Sequence, residues 1–459
     1  MSRVAARLRA STLAATCAAA ALTWWTPDVR AQEVLFVEDE PPVLRPARDE
    51  AVFAPVRAEV QVPVTRLAPP PPAPAATPTA AIDASDPYAP LGIRVGAFTL
   101  RPSLTQSLGW DSNPNRVETG AEARALSRTE GALSLESGWS RHALTGAARG
   151  QIDAYRGGDP EPRVSGDASL ALRIDIGRES ALTLTGTAAT ATERVGSPEL
   201  PGDLRDGPQT STLAANAAFD TRLGLLAVGL RGGIARTINA DATRVDGTTI
   251  DRSGDDLTQT AAALRLGYEL SPRLVPFVEA EIDERRYDEL GTARDSVGLT
   301  GRVGTQIGLT RLVVGEVSAG WQTRDYDDDA RGTVDGAVAQ ARLVWTPTPL
   351  TTVTLAGESA LADTNVADAR TARTQRASLA IAHAARRNLI LDAALTFAQT
   401  DYDGAGLTEE LITASAGLEW RLNRSLAVTG RYTHERLDST SAGADYVADV
   451  ALVGLRIAR

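Results

Sequence analysis

The sequence predicts an all-β protein, a transmembrane antiparallel β-barrel of about 18 strands, with 16 as the next-best count. Three observations predict it. Apolar or small residues alternate with polar ones through most of the 459 residues. Short and long polar breaks also alternate along the chain. The few aromatic residues gather at segment ends. A period of two means strands with two different environments, whereas a helix would scatter the same residues around its axis.

Composition bounds the answer further. Hydrophobic residues make up 43% and charged residues 23%, too apolar for a disordered chain. The net charge is −11 and all 47 basic side chains are Arg. An acidic chain lacks the basic face that a phosphate backbone needs, which argues against nucleic acid as the main partner. The single cysteine, Cys17, provides neither a disulfide framework nor a nucleophile in the body of the chain. After residue 30 no stretch is apolar for the roughly 18 residues that a helical span needs.

The first element is an export signal over residues 1–31. Arg3, Arg7 and Arg9 precede an apolar core, Ala10 to Trp25, and Val29 and Ala31 form a small-residue cleavage pattern before Gln32. Ala14-Ala15-Thr16 before Cys17 fits a lipoprotein signal poorly. The second element, residues 32–90, is a Pro-rich periplasmic lead. Gln61 to Ala80 reads QVPVTRLAPPPPAPAATPTA, and repeated Pro removes backbone donors and favours extended, solvated, flexible chain.

The third element, residues 91–459, is the barrel. In Leu226 to Ile238 one face reads Leu226, Val228, Leu230, Gly232 and Ile234, while Arg231, Gly233 and Thr237 fall on the other. In Leu389 to Thr400, Leu389, Leu391, Ala393, Leu395 and Phe397 oppose Asp392, Thr396 and Thr400. Leu426, Val428, Gly430 and Tyr432 likewise oppose Thr429 and Arg431. Short breaks fall near Ser140-Arg141, Gly177-Arg178, Thr221-Arg222, Ser271-Pro272-Arg273, Leu309-Thr310, Thr346 to Pro349, Arg386 to Asn388 and Asn423-Arg424. Longer ones run about 111–126, 156–163, 193–208, 239–256, 288–294, 326–335, 363–373, 402–409 and 438–445. Eight turns and nine loops make seventeen connections, hence eighteen strands. Short turns on one side and long loops on the other mark a bacterial outer-membrane barrel. Closure matters because an open sheet edge in lipid leaves backbone groups unpaired. A first strand from about Val95 to Trp110 running outward leaves both termini in the periplasm and the loops extracellular. No loop exceeds about 18 residues, so at most partial constriction of the bore is expected.

Aromatic placement tests this layout. Trp139, Tyr268, Trp345 and Trp420 lie near short turns, and Trp110, Tyr155, Tyr287, Trp321, Tyr326, Tyr402, Tyr432 and Tyr446 lie in or near long loops. Two aromatic belts at the headgroup levels are expected. A soluble all-β fold would instead place aromatics at strand centres.

Alternation assigns charges to the lumen: Glu136, Arg149, Asp153, Arg173, Arg231, Arg265, Glu279, Glu281, Asp283, Arg302, Glu316, Arg342, Glu419 and Arg431. They suit a hydrated pore whose charges tune solute passage, or a closed lumen in which Arg and Glu pair. Catalysis is not expected. His142 and His383 lie at turn ends and His434 at a loop end, so they cannot converge, and no GxSxG elbow stands before a helix. Asp325, Asp327, Asp328 and Asp329 lack the spacing of a calcium hand and read as a solvated loop. No cofactor or metal is expected.

Pro90 to Arg116 reads PLGIRVGAFTLRPSLTQSLGWDSNPNR, with Gly109-Trp110-Asp111-Ser112-Asn113 inside it. This resembles the opening of proteobacterial outer-membrane barrels of the beta-barrel porin 2, or BBP2-like, family. Weaker similarity continues at Gly138 to His142, Leu266 to Glu269, Thr346 to Leu355, Tyr432 to Arg436 and Gly443 to Tyr446. The resemblance implies a barrel over roughly residues 88–459, no catalytic residues, and in some members a link to surface polysaccharide. Such barrels commonly end in an aromatic residue, whereas this chain ends Ile457-Ala458-Arg459.

The expected function is a passive, porin-like channel for small hydrophilic solutes. The alternatives are an accessory barrel in exopolysaccharide export, or a structural or adhesive surface protein with a plugged lumen. Expected partners are outer-membrane lipid and lipopolysaccharide, the barrel assembly machinery, and envelope polysaccharide-export proteins.

Overall fold

A computed structural model describes residues 87–158, 160–288, 294–310, 312–366 and 368–459. They fall in one compact unit, Ala58–Arg459. The export signal and most of the Pro-rich lead lie outside the described residues.

Eighteen antiparallel strands form the wall: β1 (Phe98–Asp111), β2 (Arg124–Ser137), β3 (Ala143–Tyr155), β4 (Arg163–Asp175), β5 (Ser180–Thr192), β6 (Gln209–Leu223), β7 (Leu226–Asn239), β8 (Leu257–Tyr268), β9 (Leu274–Tyr287), β10 (Ser296–Thr310), β11 (Val313–Tyr326), β12 (Thr333–Thr348), β13 (Thr351–Ala362), β14 (Thr371–Arg386), β15 (Leu389–Asp403), β16 (Leu407–Arg421), β17 (Leu426–Ser439) and β18 (Tyr446–Ala458). Each strand pairs with the next, and β1 pairs with β18 from Ser103↔Ala458 to Asp111↔Val450, so the sheet closes on itself. Closure leaves no long unpaired edge. A three-residue strand, Ile93–Val95, folds back on the start of β1.

Alternation sets the two faces. On β18, Val453, Leu455 and Ile457 are exposed outward, while Val450, Leu452 and Gly454, on the opposite parity, are buried. The outward row of β1 (Leu104, Leu108, Trp110) behaves as Val453 and its neighbours do. An exposed ring of Leu, Val and Ile on a closed sheet is a surface made for lipid.

Three turns sit slightly away from their expected positions, and the one expected at Leu309-Thr310 comes after it, since β10 runs to Thr310. Between β6 and β7 the turn is Gly224-Leu225, not Thr221-Arg222. Gly224 has φ +64, a backbone conformation that glycine adopts without strain and that tight hairpins need. At Thr346 to Pro349, β12 continues to Thr348, and a register shift between Trp345 and Thr348 accommodates Pro347, which has no ladder donor.

Candidate functional site: the lumen and its cover

The inward faces of β7 to β11 carry a continuous chain of ion pairs. Arg265 and Glu279 are directly opposite in the β8–β9 register, and Nε of Arg265 lies 2.7 Å from Glu279 Oε2. Glu279 also accepts from Arg231 at 2.9 Å and from Arg302 at 3.2 Å. Arg265 reaches Glu316 at 2.8 Å, Arg302 reaches Glu281 at 2.9 Å, and Arg324 reaches Asp283 at 2.5 Å. The Arg265 guanidinium also stacks 3.8 Å from the Phe277 ring centre. Each acid here has a cation in contact, as buried charges require.

Above this chain sits Asp363, at the start of loop 363–370 and 1% exposed. It accepts from Arg285 (2.9 Å), Tyr287 Oη (2.9 Å) and Tyr326 Oη (2.7 Å). Burial pushes its carboxyl up. Arg285, Arg324 and the two tyrosine hydroxyls more than offset that, and the group lies below its ordinary value. Loop 363–370 is thereby pinned to the wall.

The other inward charges are placed differently. Asp153 is paired with Arg128 at 2.7 Å, Glu136 with Arg101 at 3.0 Å, Arg173 with Asp175 at 2.7 Å, and Arg431 with Asp392 at 3.1 Å. Glu419 accepts two bonds from Arg456, at 2.5 and 2.7 Å. Arg149 faces Asp167 in register, and both are exposed in the bore. Arg342 faces Glu316 in register, but that carboxylate is held by Arg265 and Gln306, and Arg342 stays exposed.

The bore is crossed by loop 193–208, which joins β5 and β6. Loop 363–370 joins β13 and β14, eight strands further round the ring of eighteen. Yet Glu199 accepts from Thr364 Oγ1 at 2.8 Å and from the Asn365 amide at 2.7 Å. Arg194 reaches Glu409 on β16 at 3.0 Å and lies over the Tyr446 ring of β18. The crossing loop has its own apolar core. Leu200 and Leu204 pack with Ala242, Val195 and Ile250, the last in a short hairpin of loop 240–256. Arg252 of that hairpin loop holds Glu193 at 3.2 Å. The expectation of only partial constriction is corrected here: a loop of ordinary length reaches the far wall because its own core and ionic contacts hold it across the mouth.

The aromatic belts are corrected in part. Trp110, Trp139, Tyr268, Trp321, Trp345, Trp420 and Tyr432 are exposed outward. Tyr155, Tyr287, Tyr326, Tyr402 and Tyr446 are buried instead. They fall on the inward parity of their strands, and four hydroxyls donate to Asp111, Asp363 and Glu409. A carboxylate near the loop end makes an inward tyrosine worth more as a donor than as a headgroup anchor.

Sequence reading missed Arg285, Arg324 and Asp363. Arg285 was within reach, since Glu279, Glu281, Asp283, Arg285 and Tyr287 share one parity in FVEAEIDERRY. The three histidines stay apart: His142 accepts from the Asp175 amide, His383 meets Thr351, and His434 meets Asp449.

The sequence profile described as "Putative beta-barrel porin 2" matches residues 86–459. No curated protein sequence matches the chain. Similar solved structures include the siderophore receptor PiuA from Acinetobacter baumannii (10% identity, TM-score 0.42, covering 80% of this chain and 82% of that one). They also include the siderophore receptor PirA from Pseudomonas aeruginosa (11%, 0.37, 78% and 80%) and Pseudomonas aeruginosa OpdK with vanillate (12%, 0.39, 78% and 99%). The expectation of a passive, open channel is corrected. The mouth is bridged from wall to wall by loop 193–208.

Proposed function

This chain belongs to the beta-barrel porin 2 family and lies in the bacterial outer membrane with its loops outside and both termini in the periplasm, and from that premise we propose that it is a surface barrel whose lumen is plugged at the outer mouth by its own loops. Membership of a porin family makes it a non-enzymatic membrane protein. The observation that carries the plugged reading is the contact of Glu199 with Thr364 and Asn365 across the bore. The inward charges then serve as cross-links that hold wall and cover together. Along β7 to β11 they neutralise one another and leave little field to select solutes. The outward aliphatic ring contacts outer-membrane lipid and lipopolysaccharide, and the barrel assembly machinery inserts the closed sheet.

The test is single-channel recording of the folded protein in a planar bilayer. At mildly acidic pH the wild type is expected to give no stable steps. A variant with residues 196–205 replaced by a short Gly-Ser link is expected to give large ohmic ones. Wild-type steps as large as the variant's would overturn the reading.

A further inference from the structure

Loop 193–208 is docked by ion pairs on either side of Glu199 and, at Glu199 itself, by uncharged donors. Glu199 meets loop 363–370 through Thr364, which is fully buried, and Asn365. On its own loop Glu193 and Arg194 flank it. Arg252 and Asp255 come from loop 240–256, Arg294 approaches Asp255 at 2.9 Å, Tyr402 and Glu409 come from β15 and β16, and Tyr446 from β18. Arg331, between β11 and β12, donates to the Thr364 carbonyl at 3.4 Å. Four carboxyls (Glu193, Glu199, Glu409, Asp255) and four guanidiniums (Arg194, Arg252, Arg294, Arg331) therefore surround the dock, yet the hydrogen bonds to Glu199 among the described residues come from the uncharged Thr364 and Asn365. Glu193 is also buried with its Oε2 lacking any hydrogen-bond donor among the described residues. A buried carboxyl whose donors are uncharged is stabilised by taking up a proton.

We propose that loop 193–208 is a proton-operated latch: it stays docked across the mouth while Glu199 is neutral and releases the far wall as Glu199 ionises. The latch rests on the plugged reading above. Undocking returns the Glu199 carboxyl to water, where the negative charge is solvated.

The titration of Glu199 supports the direction. Burial pushes its carboxyl up. The Asn365 amide and the Thr364 hydroxyl pull it down, and Glu409 and Glu193 push it up again, to about 7 from an ordinary 4.5. The docked state thus holds a proton that the undocked state has lost. Below about 4.5 both states are protonated and docking carries no penalty. From about 4.5 to about 7 docking weakens as pH rises, and above that the full loss is in place. One proton limits the change to about tenfold in the docked-to-undocked ratio per pH unit.

The experiment is open probability in a planar bilayer across this pH range, using the full folded chain. Heat-modifiable migration on a gel checks that each variant is a folded barrel. The wild type is expected to open more often as pH rises from about 4.5 to about 7, and Glu199→Gln to lose that slope. Thr364→Val, which removes a donor but no titrating group, is expected to open more at every pH and keep the slope. A flat wild-type profile overturns the latch, as does a Glu199→Gln profile as steep as wild type. The two readings fail differently. A wild type silent at all pH, with the 196–205 replacement conducting, leaves the plug and removes the latch. A wild type open at all pH removes both.

Discussion

Two walls of the bore carry the same kinds of residue at similar height and behave differently. On β7 to β9, Arg231, Arg265 and Glu279 are in contact and shielded from water. On β3 and β4, Arg149 and Asp167 are register partners, yet both remain exposed and form no ion pair within 4.0 Å among the described residues. Strand alternation sets the face in both places. The environment is set by neighbours: on the first wall three arginines crowd one glutamate and Asp363 closes over the top, while nothing described covers the second. A register pair is therefore not yet an interaction. It becomes one when the surroundings remove the water that competes for it.

The comparison can be broken on its strongest side. Asp363→Ala takes from Arg285, 1% exposed, its nearer carboxylate, leaving Asp283 at 3.6 Å, and frees two tyrosine hydroxyls. Removing one partner of a buried pair costs about 3–5 kcal/mol. The expected outcome is loss of hydrogen-exchange protection at Thr364 and Asn365, with the barrel still folded on a gel. Protection equal to wild type would show that loop 363–370 is held by something else.

A milder perturbation is acid. Asp363 lies below its ordinary value of 3.8 when folded, so its contribution is fully present above that value and is lost as pH falls through the lower, folded one. Protection of loop 363–370 should survive past 3.8 and fail only below it. Loop 193–208 should respond in the opposite sense, gaining hold as pH falls towards 4.5. Exchange measured on both loops across one acid titration checks the pair of signs.

The smallest effect belongs to the open wall. Asp167→Asn removes a charge that water already solvates, and exposed pairs contribute about 0–1 kcal/mol. Thermal unfolding in detergent should shift little. A loss comparable to Asp363→Ala would mean that the two walls are equivalent after all.

Much of this architecture was legible in the sequence. All nine loops and the strand count follow from the breaks, and the fourteen inward charges follow from parity. Five tyrosines near loops face inward because strand parity, not nearness to a loop, sets the side on which a ring lies. Tyr287 shares its parity with Glu279 and Asp283, so the sequence already contained the correction. The GWDSN segment shows the opposite limit. Its Asn113 donates to the Val447 carbonyl of β18, and Arg116 just beyond it reaches Glu435 of β17, so that each contact joins residues more than 300 apart. No local pattern announces such a contact.

By itself the sequence determined a closed eighteen-strand sheet, the lipid-facing ring and the two barrel ends, because these depend on periodicity and turn chemistry that act over a few residues. Only the tertiary structure decided that the mouth is covered. Whether Glu199 meets Thr364 depends on where two loops from opposite sides of the ring arrive once the barrel has closed, and that distance is set by the circumference of the whole sheet.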